Sequence, residues 1–158
     1  MKSLSPPKNN TYKNKESAAI RSRIMSSVNR EDTGPEMKIR SALHEIGLRY
    51  RLHVKELPGS PDIVFPKYQA VLFVHGCFWH RHGCKATTTP KTNVEYWTRK
   101  FEENVKRDAS NLIALKTIGW RVAILWECAI KDNKSDLSGV AESVFIWLNS
   151  NEKHFDYP

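Results

Sequence analysis

Three apolar runs constrain this chain more than anything else in it. DIVF at 62–65 and YQAVLFVHG at 68–76 are separated only by Pro66-Lys67, and WRVAILWE at 120–127 follows a long helical stretch. Short apolar runs bounded by turn residues are the mark of buried strands. The two-residue link makes the first two an antiparallel pair, and the intervening helix makes a crossover to the third. That helix is expected from Asn93 to Ile118, with Trp97, Phe101, Val105, Leu112 and Leu115 at helical spacing and Gly119 as its stop.

The flanks complete the plan. Thr33 with Glu36 fits a capping box, and Ile39, Ala42, Leu43 and Ile46 share one face until Gly47, so residues 36–46 are expected to form a helix packed on the sheet. Leu48, Tyr50, Leu52 and Val54 alternate with Arg49, Arg51, His53 and Lys55, the period of a strand with one wet face. An amphipathic helix at about 137–148 closes the chain, and a short one is expected at 17–28. The order αβββαβα predicts an α/β sandwich around a mixed four-stranded sheet. With 158 residues there is room for one domain and not two. Its expected limits are 18–150, after a disordered basic arm at 1–17 and before a tail at 151–158. No apolar run reaches the ~18 residues of a membrane span, and the polar N-terminus lacks a secretory core, so a cytoplasmic protein is expected.

The formal charge is +8, and residues 1–30 hold seven Lys/Arg against one Glu. A basic arm ahead of a nearly balanced domain suits a polyanion partner, although a solubilising tail has the same composition. Five Trp, five Tyr and six Phe exclude a disordered polymer.

The densest chemistry lies in HGCFWHRHGC, residues 75–84. Cys77, His82 and Cys84, with Cys128 beyond the third strand, form a Cys3His set that uses every cysteine in the chain. Thiolate and imidazole are the donors a structural zinc takes, in a closed tetrahedron. Core thiols and surface imidazoles remain the alternative reading of the same residues. A deaminase site would need H-x-E and P-C-x-x-C, and neither occurs. A closed site would aim Phe78, Trp79 and His80 outward. Asp62, at the head of a buried strand, needs a partner: either turn N–H groups or a cation such as Mg²⁺.

Pro61-Asp62 followed by Phe73-Val74-His75 on the next strand stands where many nucleases carry PD and then (D/E)-x-K. Together with SRIM, TGPE, LPGSPD, HGCFWH, EYW and GWRVAILWEC, the chain resembles the very-short-patch-repair (Vsr) mismatch endonucleases over about residues 18–130. The resemblance implies a restriction-endonuclease-like core with a structural Zn²⁺ on Cys77, His82, Cys84 and Cys128. It also implies Mg²⁺-dependent nicking of one strand 5′ to the T of a T:G mismatch, the product of 5-methylcytosine deamination.

Carried over by position, Asp62 and the backbone carbonyl of Val74 would hold Mg²⁺, His80 would activate water, and His75 and Glu36 would assist. Phe78, Trp79 and Trp97 would wedge into the duplex beside the mismatch, with Met25 entering from the opposite groove. Lys100 and Asn104 would lie near the mismatched bases, and Arg21 and Arg23 would contact phosphates. Arg81 stands where the family often has histidine and adds a positive charge near the cleavage site. The expected partner is double-stranded DNA carrying a T:G mismatch, met by a monomer, with mismatch-repair proteins and a repair DNA polymerase acting around it. Two rival readings use the same residues: a zinc-stabilised DNA-binding module without catalysis, and a zinc hydrolase of small molecules.

Overall fold

In a computed structural model the described residues are 31–158, of which Gly34–Pro158 form one compact unit. Helix α1 (Gly34–Glu45) leads to strand β1 (Ile63–Phe65), a single 3-10 turn at Pro66–Tyr68, and strand β2 (Ala70–His75). A one-turn helix α2 (Cys77–His80) follows, then the long helix α3 (Val94–Thr117) and strand β3 (Arg121–Trp126). Helices α4 (Glu127–Asp132) and α5 (Ser138–Leu148) and strand β4 (His154–Tyr157) complete the chain. The sheet is mixed, with order β1-β2-β3-β4. β1 runs antiparallel to β2, while β3 is parallel to both β2 and β4.

Strand alternation sorts the core into two layers. Ile63, Phe65, Ala70, Leu72, Ala123 and Leu125 turn to one face and meet α1, α4 and α5 through Ile39, Leu43, Ile130, Val144 and Trp147. Val64, Val71 and Val122 turn to the other face and pack against Leu115 and Leu112 of α3. His75 follows Val71 and Phe73 at steps of two, so it leaves the sheet on the α3 side.

Two expectations give way here. Residues 48–54 do not form a strand of the sheet: only Arg51 makes a bridge, to Val64. His53 takes a positive φ of 53°, which breaks the extended run after Leu52. The fourth strand is instead β4, inside the stretch read as a tail, where Phe155 and Tyr157 pack on the core. The helical faces are also narrower than their spacing suggests. Ile46 lies beyond the end of α1 and is exposed, as is Val105 in the middle of α3.

Candidate active site

Asp62 sits between a tight turn and β1. Gly59 and Ser60 both hold positive φ, at 79° and 47°. A Cβ on Gly59 would stand 2.8 Å from Asn111 Nδ2, so α3 presses on the turn where only glycine fits. The Asp62 carboxylate does not cap this turn; its Oδ2 accepts the Val74 N–H across the sheet at 2.7 Å. Burial pushes the Asp62 carboxyl up to about 6, opposed by the Val74 N–H, reinforced by the Glu36 carboxylate, and countered by Arg40 and His80. Glu36 is itself buried on α1 and accepts from Arg40 at 2.9 Å. A divalent cation fits such a carboxyl, because it would offset both the desolvation and the repulsion from Glu36.

Near Asp62 three side chains, His75, His80 and Asp108, form one group. His75 and His80 lie face to face, with ring centroids 3.8 Å apart and planes 6° from parallel. His80 Nδ1 is 2.5 Å from Asp108 Oδ2 on α3. An ionised carboxylate only accepts, so Nδ1 carries the hydrogen, which in a neutral imidazole places the lone pair on Nε2. Burial drives His75 down to about 3, and the neighbouring His80 adds to that, so His75 stays neutral at cellular pH. Although one donor atom from each of these three residues falls within a 4.8 Å cluster, parallel rings cannot converge in-plane lone pairs on one ion between them. We therefore read the group as a hydrogen-bonded base rather than a metal site.

The sulfur cluster is a different case. The ligand atoms of Cys77, His82, Cys84 and Cys128 all lie within 4.8 Å of one another, and none of the cysteines is in a disulfide. His82 Nδ1 is 3.7 Å from Cys77 Sγ and 3.3 Å from Cys128 Sγ. Zn–S and Zn–N bonds of about 2.3 and 2.0 Å give a tetrahedral S···N edge of about 3.5 Å, which these distances bracket. Burial pushes the thiols of Cys77 and Cys128 up, whereas a backbone hydrogen bond with Ala86 holds Cys84 down to about 6. Two of the three thiolates thus need a cation's charge to form near neutrality, which suits a metal site.

Between these clusters α2 projects its aromatic residues. Phe78 makes edge contacts with Trp79, Trp97 and Phe101 at 5.0, 5.8 and 5.1 Å, so α2 and α3 share one aromatic surface. Trp79 and Trp97 stay half-buried, and Tyr96 is exposed beside them. Asn104, expected near the bases, is buried instead: its Nδ2 donates to the Trp79 carbonyl and its Oδ1 accepts from Arg107. Lys100 is half-exposed on the same helix. Arg81 is engaged: its guanidinium lies 4.3 Å over Phe101 and donates to the Thr88 carbonyl and to Thr89 Oγ1. Met25, Arg21 and Arg23 lie outside the described residues.

A family model described as DNA mismatch endonuclease Vsr matches residues 13–86. Over 109 residues the chain is 52% identical to the type II nicking enzyme V.XorIIP of Xanthomonas oryzae pv. oryzae, covering 69% of this chain and 80% of that one. The chain belongs to the Vsr family. It is 42% identical over 113 residues to the DNA mismatch endonuclease Vsr of Escherichia coli K12, covering 72% of each chain. It is also 41% identical over 146 residues to the nicking enzyme V.NaeI of Lentzea aerocolonigenes, covering 87% of this chain and 82% of that one.

Within this Vsr family member the structure adds residues that sequence reasoning missed. Asp108 follows Phe101 by seven positions and Asn104 by four, so helical phase alone puts it on the face turned toward α2. Trp126 stacks on His82 with centroids 4.2 Å apart and 10° between planes, and donates its indole N–H to Asp156 at 2.6 Å.

Proposed function

We propose that this chain, a DNA mismatch endonuclease by family, nicks one strand 5′ to the T of a T:G mismatch left by 5-methylcytosine deamination. The observation that carries the reading is His80, fixed through Nδ1 by Asp108 and stacked on His75, the residue next to Val74, whose N–H the buried Asp62 carboxyl accepts. A base and a carboxylate so placed are what phosphodiester hydrolysis requires. The order α1, antiparallel β1–β2, then β3 parallel to β2 across α3 supports a restriction-endonuclease-like core.

Asp62 and the Val74 carbonyl would hold Mg²⁺, which when bound supplies positive charge against the scissile phosphate and the departing 3′ oxygen. His80 Nε2 takes the proton of the attacking water. Asp108 keeps that imidazole in the required tautomer and balances its charge once protonated, a role that orients and stabilises rather than accepts the proton. Neutral His75, face-on to His80, adds no competing positive charge. Glu36, anchored by Arg40, orients water at the Asp62 side. The Cys77, His82, Cys84 and Cys128 set would hold Zn²⁺ as a structural staple for the segment that carries α2.

Phe78, Trp79 and Trp97 present the wedge, Met25 would enter the duplex from the opposite groove, and a mismatched step costs less to unstack than a paired one. Arg21, Arg23 and Lys100 supply phosphate and base contacts, while Asn104 serves by holding the Trp79 backbone. Arg81, with its donors engaged by the 88–89 loop, braces the wedge. The arm at 1–17 supplies non-specific attraction to DNA. No helix among the described residues is long and apolar enough to cross a membrane. We place the enzyme with DNA in the cytoplasm, as a monomer whose nick is passed to repair proteins and a polymerase.

The test is a T:G duplex labelled on each strand in turn. The expected result is one Mg²⁺-dependent nick in the T strand, absent in an Asp62→Ala protein that still binds. Equal binding without cleavage by the unaltered chain would favour the non-catalytic module instead. Turnover without Mg²⁺ on small esters would favour the zinc hydrolase.

A further inference from the structure

β4 reaches the site through one hydrogen bond. Asp156, paired in register with Ile124, accepts the Trp126 indole N–H at 2.6 Å. Trp126 closes β3 opposite His75 and is 9% exposed. Its ring lies flat on His82 and edge-on to His75, at 5.4 Å and 70°. His75 in turn lies flat on His80. One indole thus touches a member of the thiol–imidazole cluster and the inner ring of the histidine stack.

Imidazole ligation is directional, because the donor lone pair lies in the ring plane. A rigid surface against one face of His82 limits the tilt that would swing Nδ1 away from Cys77 and Cys128. The same surface limits rotation of His75, and so the height at which His80 rests above it. The indole can do both only if it does not itself turn, and Asp156 supplies that restraint. We propose that Trp126, held by Asp156, is a positioning residue shared by the two clusters, so that the C-terminal strand sets both metal retention and the alignment of His80. The inference rests on the reading of His82 as a zinc ligand and His80 as the base.

The test uses the full chain with Asp156→Ala, Asp156→Asn, Trp126→Phe and the Ala/Phe double variant. Three quantities are read: zinc transfer to a chromophoric chelator, single-turnover nicking of a mismatched duplex with its binding measured separately, and the thermal midpoint. Asp156→Ala and Trp126→Phe should each release zinc and lose nicking rate by about tenfold, the low end for groups that orient a metal ligand. Duplex affinity should stay within about twofold, and the double variant should be no worse than either single, as expected of residues acting through one bond. Asp156→Asn keeps an acceptor oxygen and should restore both rates.

Unchanged zinc release and nicking in the two single variants would overturn the inference, as would a double variant whose losses multiply or an Asp156→Asn as impaired as Ala. Should Asp156→Ala fail to fold, Trp126→Phe keeps an aromatic surface and carries the same expectation alone. An unaltered chain that nicks but binds no zinc would instead remove the underlying reading, and the role at His82 with it.

Discussion

The most exposed prediction concerns the proton on Asp62. Burial first, and Glu36 second among the raising influences, lift this carboxyl from 3.8 to about 6, against the pull of the Val74 N–H. The folded chain therefore binds that proton on the order of a hundredfold more tightly than the unfolded chain, which is worth about 3 kcal/mol. The sign is that of a raised group: the stabilisation is complete below pH 3.8 and lost as pH rises through about 6. A cation on the carboxylate competes with the proton, so Mg²⁺ affinity should fall about tenfold from pH 7 to pH 5, where an ordinary aspartate would hardly change. The assay is Mg²⁺ titration by calorimetry, with thermal melts at both pH values. The Asp62→Asn protein, which cannot ionise there, should melt higher than the unaltered chain at pH 7.5 without Mg²⁺ and should gain nothing from Mg²⁺. Flat affinity between pH 7 and 5, with an Asn variant no more stable, would refute the desolvated carboxyl as the cation's seat.

Three further outcomes follow from the geometry. Asp108→Asn leaves the packing but weakens the acceptor at His80, and nicking should fall on the order of 10²-fold with duplex affinity intact, as measured by single-turnover assays. Cys128→Ser, or chelation of the unaltered chain, should cost at least about 3 kcal/mol and lower the melting midpoint by about 6–12 °C; an unshifted melt would contradict a structural metal. Trp79→Ala should reduce the preference for mismatched over matched duplex about tenfold while general affinity changes little, read from binding curves on both duplexes.

Legibility in the sequence followed the strength of the local signal. β1, β2 and β3 could be read because both faces are buried, so their residues form continuous apolar runs. The Cys77–Cys84 cluster was visible because four metal-binding residues, two Cys and two His, crowd one aperiodic segment. β4 was not, since HFDY is four residues long and only half of it packs inward. α4 was hidden because its Ala129 and Ile130 continue the apolar run of β3 without a turn between them. Asp108 was missed for another reason: an acid among the charged residues of α3 looks like part of a solvated face, although it shares the helical phase of Phe101 and Asn104, which meet α2. Residues 48–54 show the converse, a clean period of two undone by one backbone angle at His53.

The brevity of α2 has a consequence for timing. Phe78, Trp79 and His80 leave a single helical turn whose two ends are tied down, Cys77 being buried in the sulfur cluster and Arg81 lying over Phe101. Such a turn has no internal hinge, so the rings proposed as the wedge and the imidazole proposed as the base are held in one fixed mutual geometry. On those proposed roles, seating the rings at a defect would also align the base, with no separate signal needed between recognition and cutting.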